Sequence, residues 1–181
     1  MNGLSAIDQM TEKKEAINEK DLILRKSGLN YKKYAKVPFT GVGECFHENG
    51  KLNKRRSFKY GKLNGLSEEF TLFGDNPFHI SAIICRANYK NGKEHGLSEW
   101  FHDNGQLKNT GNFKNGVAHG LQEHYWHGEL WVRENYKDGK LDGLFEHYYE
   151  NGQLESRGAI KMEKKKASGN ILMKVVTKPQ L

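Results

Sequence analysis

The stretch that decides the fold of this chain is residues 96–120, which read GLSEWFHDNGQLKNTGNFKNGVAHG. It opens with Gly-Leu-x-Glu-x-aromatic, contains the turn motifs Asn104-Gly105 and Asn115-Gly116, and ends at the glycine that opens the next copy. Side chains alternate along the runs between the turns, so Leu97 and Glu99 face one way and Ser98 the other. Asn-Gly between alternating runs is a strong hairpin signal, because both central residues of a tight hairpin turn need positive φ. The stretch therefore predicts one β-hairpin.

The opening pattern occurs five times along the chain. It begins at Gly41, Gly65, Gly96, Gly120 and Gly143, so the differences between successive positions are 24, 31, 24 and 23 residues. A period in the twenties indicates an array in which each unit packs against its neighbours. We therefore predict an all-β fold: an elongated, twisted antiparallel β-meander of tandem hairpin repeats.

The two ends of the chain differ from the repeats. Residues 1–21 are rich in charge around Ile7 and Met10 and predict a short N-terminal helix or a disordered leader. Residues 22–40 alternate again and predict a capping hairpin. Five repeats occupy 41–162, and 163–181 predict a Lys-rich turn followed by a C-terminal capping strand, since terminal units of an array are atypical.

Three recurring motifs together carry a resemblance to a known family. They are Gly-Leu-x-Glu-x-aromatic, Asn-Gly-Gln-Leu and Tyr-Lys-Asn-Gly-Lys-x-x-Gly, and the resemblance covers roughly residues 22–162. The pattern resembles MORN repeats, and most closely the bacterial MORN-variant repeats of YwqK-type proteins. The resemblance implies an antitoxin or immunity protein that binds a cognate protein toxin. Eukaryotic MORN arrays imply the alternative, a structural scaffold or a peripheral membrane-lipid adaptor. The family brings no known catalytic residues.

The net charge of +7 is concentrated at the ends of the chain. Residues 161–181 carry +5 and residues 1–40 carry +3, which leaves −1 for 41–160. A nucleic-acid interface needs basic residues clustered on the folded surface, so we expect no nucleic-acid partner. Membrane contact is not expected of the sheet, and the Lys-rich tail, which has no apolar anchor, would attract an anionic membrane only weakly.

Location and chemistry are predicted from what the sequence lacks. It has no run of about 20 apolar residues and no apolar signal-peptide core, which favours a cytoplasmic protein. The five glutamates three residues after each opening glycine sit two strands apart, about 9–10 Å, so hydrogen bonding to the next strand or turn explains them better than catalysis. The histidines fall in similarly spaced columns that do not converge on a metal. We expect no catalytic residues, no metal site and no cofactor.

Features that depart from the repeat are the candidate partner-binding surface. The second interval is seven residues longer than its neighbours (31 against 24), and the surplus lies in residues 72–84. It predicts a long hairpin that projects past the sheet edge or, alternatively, one that packs on the adjacent cap. Large aromatic residues on the second face of a one-layer sheet are candidate anchors, unless they pack with Tyr148 and Tyr149. The candidate site residues are Asp75, Asn76, Phe78, His79, Trp100, His102, Trp126 and Trp131.

Overall fold

The structure, a computed structural model, describes residues 16–72, 81–164 and 171–177. Their fourteen strands and one 3-10 turn are, in chain order, β1 Ala16–Asn18, the turn Glu19–Asp21, β2 Leu22–Leu24, β3 Asn30–Lys32, β4 Gly41–Phe46, β5 Leu52–Lys59, β6 Lys62–Leu72, β7 Ser81–Lys90, β8 Lys93–Phe101, β9 Leu107–Lys114, β10 Val117–Trp126, β11 Glu129–Lys137, β12 Lys140–Tyr148, β13 Leu154–Lys164 and β14 Ile171–Thr177.

Twelve of these strands form one sheet in the order β1-β4-β5-β6-β7-β8-β9-β10-β11-β12-β13-β14. From β4 onward every strand pairs antiparallel with the next strand in the sequence, whereas β1 pairs parallel with β4. At the usual strand spacing, twelve strands extend roughly 50–55 Å across the sheet. The predicted all-β antiparallel meander is confirmed.

The two kinds of turn differ in their backbone. At the second turn of a repeat, Asn91 and Gly92 have φ of 52° and 81°, as a two-residue type I′ turn requires. His127 and Gly128, at the mid-repeat turn of the fourth unit, form another such turn, with φ of 50° and 88°. At the mid-repeat turn of the third unit only Gly105 has positive φ, 82°. Residues 102–106 form a longer loop there, in which the Gln106 amide donates to Asn104 Oδ1 at 3.0 Å. The expectation that both residues of Asn104-Gly105 have positive φ is therefore wrong, because a longer loop needs only the glycine.

Four of the five opening glycines lie inside a strand, and Gly41 begins β4. Gly96, with φ of 99°, falls at an irregularity where three residues of β8 lie opposite Asn88 of β7. The Asn88 side chain donates to the Leu97 carbonyl at 2.9 Å. It thereby satisfies a backbone acceptor at the point where the pairing of the two strands is interrupted. Asn112 and Asn135 do the same for Leu121 and Leu144, at 3.4 and 3.2 Å. In these three units the asparagine before the second-turn aromatic thus satisfies a carbonyl at the strand irregularity.

The core is thin and lies on one face of the sheet, the packed face, which carries Phe58, Ala87, Ser98 and Val132, all buried. Glycines on this face make room for rings on the next strand. A Cβ built on Gly158 would lie 2.3 Å from Phe145 Cζ. Large and small residues therefore interlock across neighbouring strands rather than between two layers.

The N-terminal edge of the sheet differs from the sequence expectation. Residues 16–21, where a helix or leader is predicted, form β1 and the single 3-10 turn, while 1–15 lie outside the described residues. Ala16–Asn18 is fixed as a strand because it pairs with β4, and the Glu19 carboxylate accepts from Arg56 Nε at 2.7 Å. No α-helix occurs in the parts of the chain that the structure describes.

Short segments follow at both ends of the meander. The β2–β3 hairpin forms its own two-stranded sheet and joins the first unit through Asn30, whose amide donates to the Gly61 carbonyl at 2.9 Å. At the other end, β14 pairs antiparallel with β13, which runs on through Lys164 into the Lys-rich segment. Residues 165–170 lie outside the described part.

Candidate functional site

Opposite the packed face, a row of charged side chains crosses the sheet at one position per strand. We call it the charged ladder. From β4 to β13 its members are Glu44, Arg55, Glu68, Arg86, Glu99, Thr110, Glu123, Arg133, Glu146 and Arg157, each opposite the next in the register. Glutamate and arginine alternate along it, apart from Thr110.

Every opening glutamate accepts a hydrogen bond or ion pair from an arginine of a neighbouring strand. Arg55 Nε lies 2.9 Å from Glu44 Oε1, and Arg133 Nε lies 2.9 Å from Glu123 Oε1. Arg86 reaches Glu68 at 3.5 Å and Glu99 at 3.3 Å. The interpretation of these glutamates as structural hydrogen-bond acceptors is confirmed.

Glu146 is the most deeply placed member, with 4% of its side chain exposed. Arg157 Nη2 lies 2.6 Å from Glu146 Oε1, and the Tyr148 hydroxyl donates to Oε2 at 2.8 Å. Burial by itself would raise the pKa of this carboxyl. The hydrogen bonds from Arg157 and Tyr148 and the charges of Arg157 and Arg133 outweigh that effect and lower the pKa below its ordinary value.

Four large aromatic side chains gather at the mid-repeat end of the last two units. Trp126, Trp131, Tyr148 and Tyr149 line one open groove, together with His127, Leu130 and the carboxylates of Glu129, Glu150 and Glu155. We call it the aromatic groove. Trp126, Trp131 and Tyr149 are 55%, 54% and 51% exposed, although Trp126 makes an edge contact with His127 at 5.0 Å. The groove combines apolar area with negative charge, and no lysine or arginine is among the described residues that line it.

The other predicted site residues lie elsewhere. Trp100 is half-buried on the packed face and makes an edge-to-face contact with Phe113, with ring centroids 5.8 Å apart. His102 is half-buried and lines a second, shallower groove, which shares Trp126 and His127 with the first. Asp75, Asn76, Phe78 and His79 lie outside the described residues. The structure thus brings Trp126 and Trp131 together and places Trp100 apart from them.

The two cysteines are unpaired and poorly suited to nucleophilic chemistry. The Cys45 thiol donates to Glu19 Oε2 at 3.4 Å, and burial raises its pKa. Burial, with smaller contributions from the nearby carboxylates of Glu69 and Glu94, raises the pKa of Cys85 to about 11. Since the thiolate is the nucleophile, both groups stay in their unreactive form near neutral pH.

The described residues also bear on metal sites and membrane spans. No group of three or more His, Cys, Asp or Glu residues among them is placed to hold a metal ion. None of their helices has the length and apolar character needed to cross a membrane.

The ladder arginines were missed by reasoning from the sequence, although a signal for them exists. An arginine stands three residues before the second-turn aromatic in Arg55-x-x-Phe58, Arg86-x-x-Tyr89 and Arg133-x-x-Tyr136. The recurring glutamate was easier to notice because it follows a glycine. Two columns of opposite charge with the same period predict cross-strand ion pairs, provided that the strand register is known.

Fold and site together define a tandem β-hairpin repeat protein with one packed face and one charged face. The family model of the MORN repeat variant matches the chain three times, at residues 39–60, 94–115 and 141–159. These segments lie in the first, third and fifth units and cover all or part of the strand pairs β4–β5, β8–β9 and β12–β13. Comparison with curated proteins gave no match. Repeats of the matching kind are generally non-catalytic modules for binding.

Proposed function

We propose that this chain is a non-catalytic protein-binding module that acts as an antitoxin or immunity protein and neutralises a cognate bacterial toxin in the cytoplasm by direct binding. The observation that carries the binding role is the aromatic groove, in which three large aromatic side chains are more than half exposed. The resemblance to YwqK-type repeats supports the toxin as the partner. Neutralisation then follows from covering the toxin's active site or blocking its assembly.

The groove has the composition of an interface centre. Exposed tryptophan and tyrosine bury large apolar area at small entropic cost, and they dominate binding energies when a partner removes water from them. Glu129, Glu150 and Glu155 around the rings favour a partner that presents basic residues at its rim. The partner surface is therefore expected to be apolar at its centre and positively charged at its edge.

The test begins with the toxin encoded beside this gene or recovered with the tagged protein, and measures binding by titration calorimetry. Trp126→Ala and Trp131→Ala should each weaken binding by about 2 kcal/mol or more, as loss of a central aromatic anchor does. Tyr60→Ala is the matched control, because Tyr60 is 68% exposed but lies at a second-turn end of the sheet, on the β5–β6 turn. Co-expression should restore growth of toxin-producing cells with the parent and the control, but not with the tryptophan variants.

Two results would contradict this proposal. The groove is excluded as the binding site if both tryptophan variants bind like the parent. Neutralisation itself is excluded if the complex forms while the toxin keeps its full activity. Trp100→Ala separates stability from binding, because the contact of Trp100 with Phe113 makes it part of the fold; it should lower the unfolding midpoint.

The second candidate function, a scaffold or lipid-surface adaptor, is favoured by the +5 charge of residues 161–181. It predicts co-sedimentation with phosphatidylserine vesicles that is lost at high salt and when Lys164, Lys165 and Lys166 are replaced by glutamine. The carboxylates of the aromatic groove repel an anionic membrane, so the groove should not contribute to lipid binding. Trp126→Ala and Trp131→Ala should therefore bind the vesicles like the parent.

A further inference from the structure

The charged ladder is broken at one position, Thr110. Strand β9 places Thr110 opposite Glu99 of β8 and opposite Glu123 of β10. In each of the other nine strands from β4 to β13 the same row holds a glutamate or an arginine. Two carboxylates therefore flank a neutral residue where the alternation calls for a cation.

Neighbouring units show what occupies the equivalent position. Arg86 lies between Glu68 and Glu99, at 3.5 and 3.3 Å, and so bridges carboxylates from two strands apart. Arg133 bridges Glu123 and Glu146 in the same way, at 2.9 and 3.4 Å. In the units on either side of the break, the same row thus holds a guanidinium group between two carboxylates.

Glu99 and Glu123 keep the same relative placement, but each is paired with an arginine on its outer side only, and Glu123 Oε2 also accepts from the Tyr125 hydroxyl at 3.0 Å. Their strands are separated by β9 alone, about 9–10 Å at the usual spacing. Lys108, on β9, is exposed and forms no ion pair with any described carboxylate. The position above Thr110 therefore lacks a cation from the described part of the chain, while a carboxylate stands on each side.

The residues around the break are apolar on one side. Leu97 precedes Glu99 by two residues on the same face of β8 and is 43% exposed. Leu121 holds the same place before Glu123 on β10 and is half-buried. A side chain that entered between the two glutamates would thus meet two leucines with its aliphatic stem, and arginine has such a stem below its charged head.

We propose that Glu99 and Glu123 form a receiving site for an arginine side chain of a partner protein, whose guanidinium group bridges the two carboxylates above Thr110. This proposal rests on the proposed function and names one contact of that partner. Arginine fits better than lysine because its planar fork can bond two carboxylates at once. Phosphate-bearing partners are excluded from this position by the two negative charges.

The first experiment uses N-acetyl-arginine amide as the probe, titrated at constant ionic strength into the ¹⁵N-labelled full chain. Saturable shifts of the amides of Glu99, Thr110 and Glu123 are expected. N-acetyl-citrulline amide, a neutral isostere, should leave these amides unshifted, and the lysine amide should bind at least about threefold more weakly because it lacks the fork. Equal shifts with citrulline, or shifts confined to other residues, would overturn the proposal.

The second experiment places an arginine of the chain itself at the break in the charged ladder. Thr110→Arg should raise the unfolding midpoint and abolish the arginine-amide shifts, because its own guanidinium completes the ladder. Thr71→Arg, on β6 and outside the ladder row, is the matched control that adds the same charge and should keep the titration. A lowered midpoint for Thr110→Arg, or an unchanged titration, argues that the position does not accept a guanidinium group.

A third variant covers the case in which the inserted arginine prevents folding. The double substitution Glu99→Gln with Glu123→Gln should keep the β-sheet circular dichroism spectrum but weaken the arginine-amide titration at least about tenfold, since truncating a paired charge costs that much or more. None of these readouts uses the toxin. A failed titration therefore rejects this contact alone, whereas a failed growth rescue rejects the proposed function.

Discussion

Glu146 shows how single residues hold a sheet that has little core. Its carboxylate is almost fully buried, yet it receives Arg133, Arg157 and the Tyr148 hydroxyl. An unpaired buried charge would be costly, whereas this one is compensated from three sides. Cross-strand ion pairs on the charged face thus provide part of the stabilisation that a second layer of structure provides in thicker folds.

We predict that Glu146→Gln lowers the free energy of unfolding by about 1–3 kcal/mol at pH 7, because it removes the carboxylate that compensates Arg157 and leaves Arg133 with Glu123 alone. The effect should depend on pH. Since the folded state lowers the pKa of Glu146 below the ordinary 4.5, its contribution is complete above about pH 4.5 and is lost as the pH falls through the folded value.

Urea denaturation of parent and variant at pH 7 and at a series of pH values below 4.5 measures this prediction. The two proteins should converge in acid. Glu48→Gln is the control, because Glu48 is exposed and makes no hydrogen bond or ion pair with any described residue. A difference between parent and Glu146→Gln that stays constant across this range would contradict the assigned cause.

At the scale of strands, the packed face depends on rings that lie over glycines of the next strand. Phe145 of β12 covers Gly158 of β13, which it faces in the register. Gly105 differs, since a Cβ there would meet nothing within 4 Å, but its φ is 82°. Gly158 is therefore required because there is no space for a side chain, and Gly105 because of its backbone conformation.

We predict that Gly158→Ala destabilises the protein by about 2–3 kcal/mol through overpacking against the Phe145 ring. Phe145→Leu should recover part of that loss in the double variant, giving a favourable coupling energy in a double-mutant cycle. Gly105→Ala should cost about 1 kcal/mol through φ alone and should show no coupling to Phe145→Leu. Additive effects of Gly158→Ala and Phe145→Leu would show that the ring is not what excludes the methyl group.

Period and alternation predicted the strands well, because each two-residue turn and each alternating run is a local property. They placed the tryptophans less well. Trp100 and Trp126 have the same parity relative to their glycines, but Trp126 lies beyond a register shift between His124 and Tyr125 and six residues from its glycine, against four for Trp100. One therefore contacts Phe113 and the other reaches the groove. A strand irregularity depends on both strands of a pair, so it cannot be predicted from the sequence of one strand.

At the scale of the whole molecule, the outer edges need explanation. Strand β4 would be the first strand of the meander, but β1 pairs with it in parallel through Ala16, Ile17 and Asn18. Open edges invite pairing with a second chain. The sequence suggested a helix here because charged residues crowd this segment, whereas pairing with a distant strand and the ion pair of Glu19 with Arg56 fix it as extended.

We predict that Ile17→Pro, which removes a backbone donor and disfavours pairing, opens the β4 edge and causes concentration-dependent self-association. Sedimentation velocity over a hundredfold range of concentration measures the effect. Ile17→Val is the matched control, because it keeps the backbone donor and a β-branched side chain. Identical sedimentation of Ile17→Pro and Ile17→Val at every concentration would mean that β1 does not protect this edge.

The alternation of the ladder also has a consequence for the gene. A unit contributes two strands and two ladder positions, so duplication or loss of a whole unit preserves both strand direction and the order of charges. Loss of the codons for residues 97–120, for example, would bring Arg86 opposite Glu123 and remove the only neutral position between β4 and β13. Such arrays can lengthen or shorten by recombination without redesign, and a single codon in one unit, such as that for Thr110, is enough to set that unit apart from its copies.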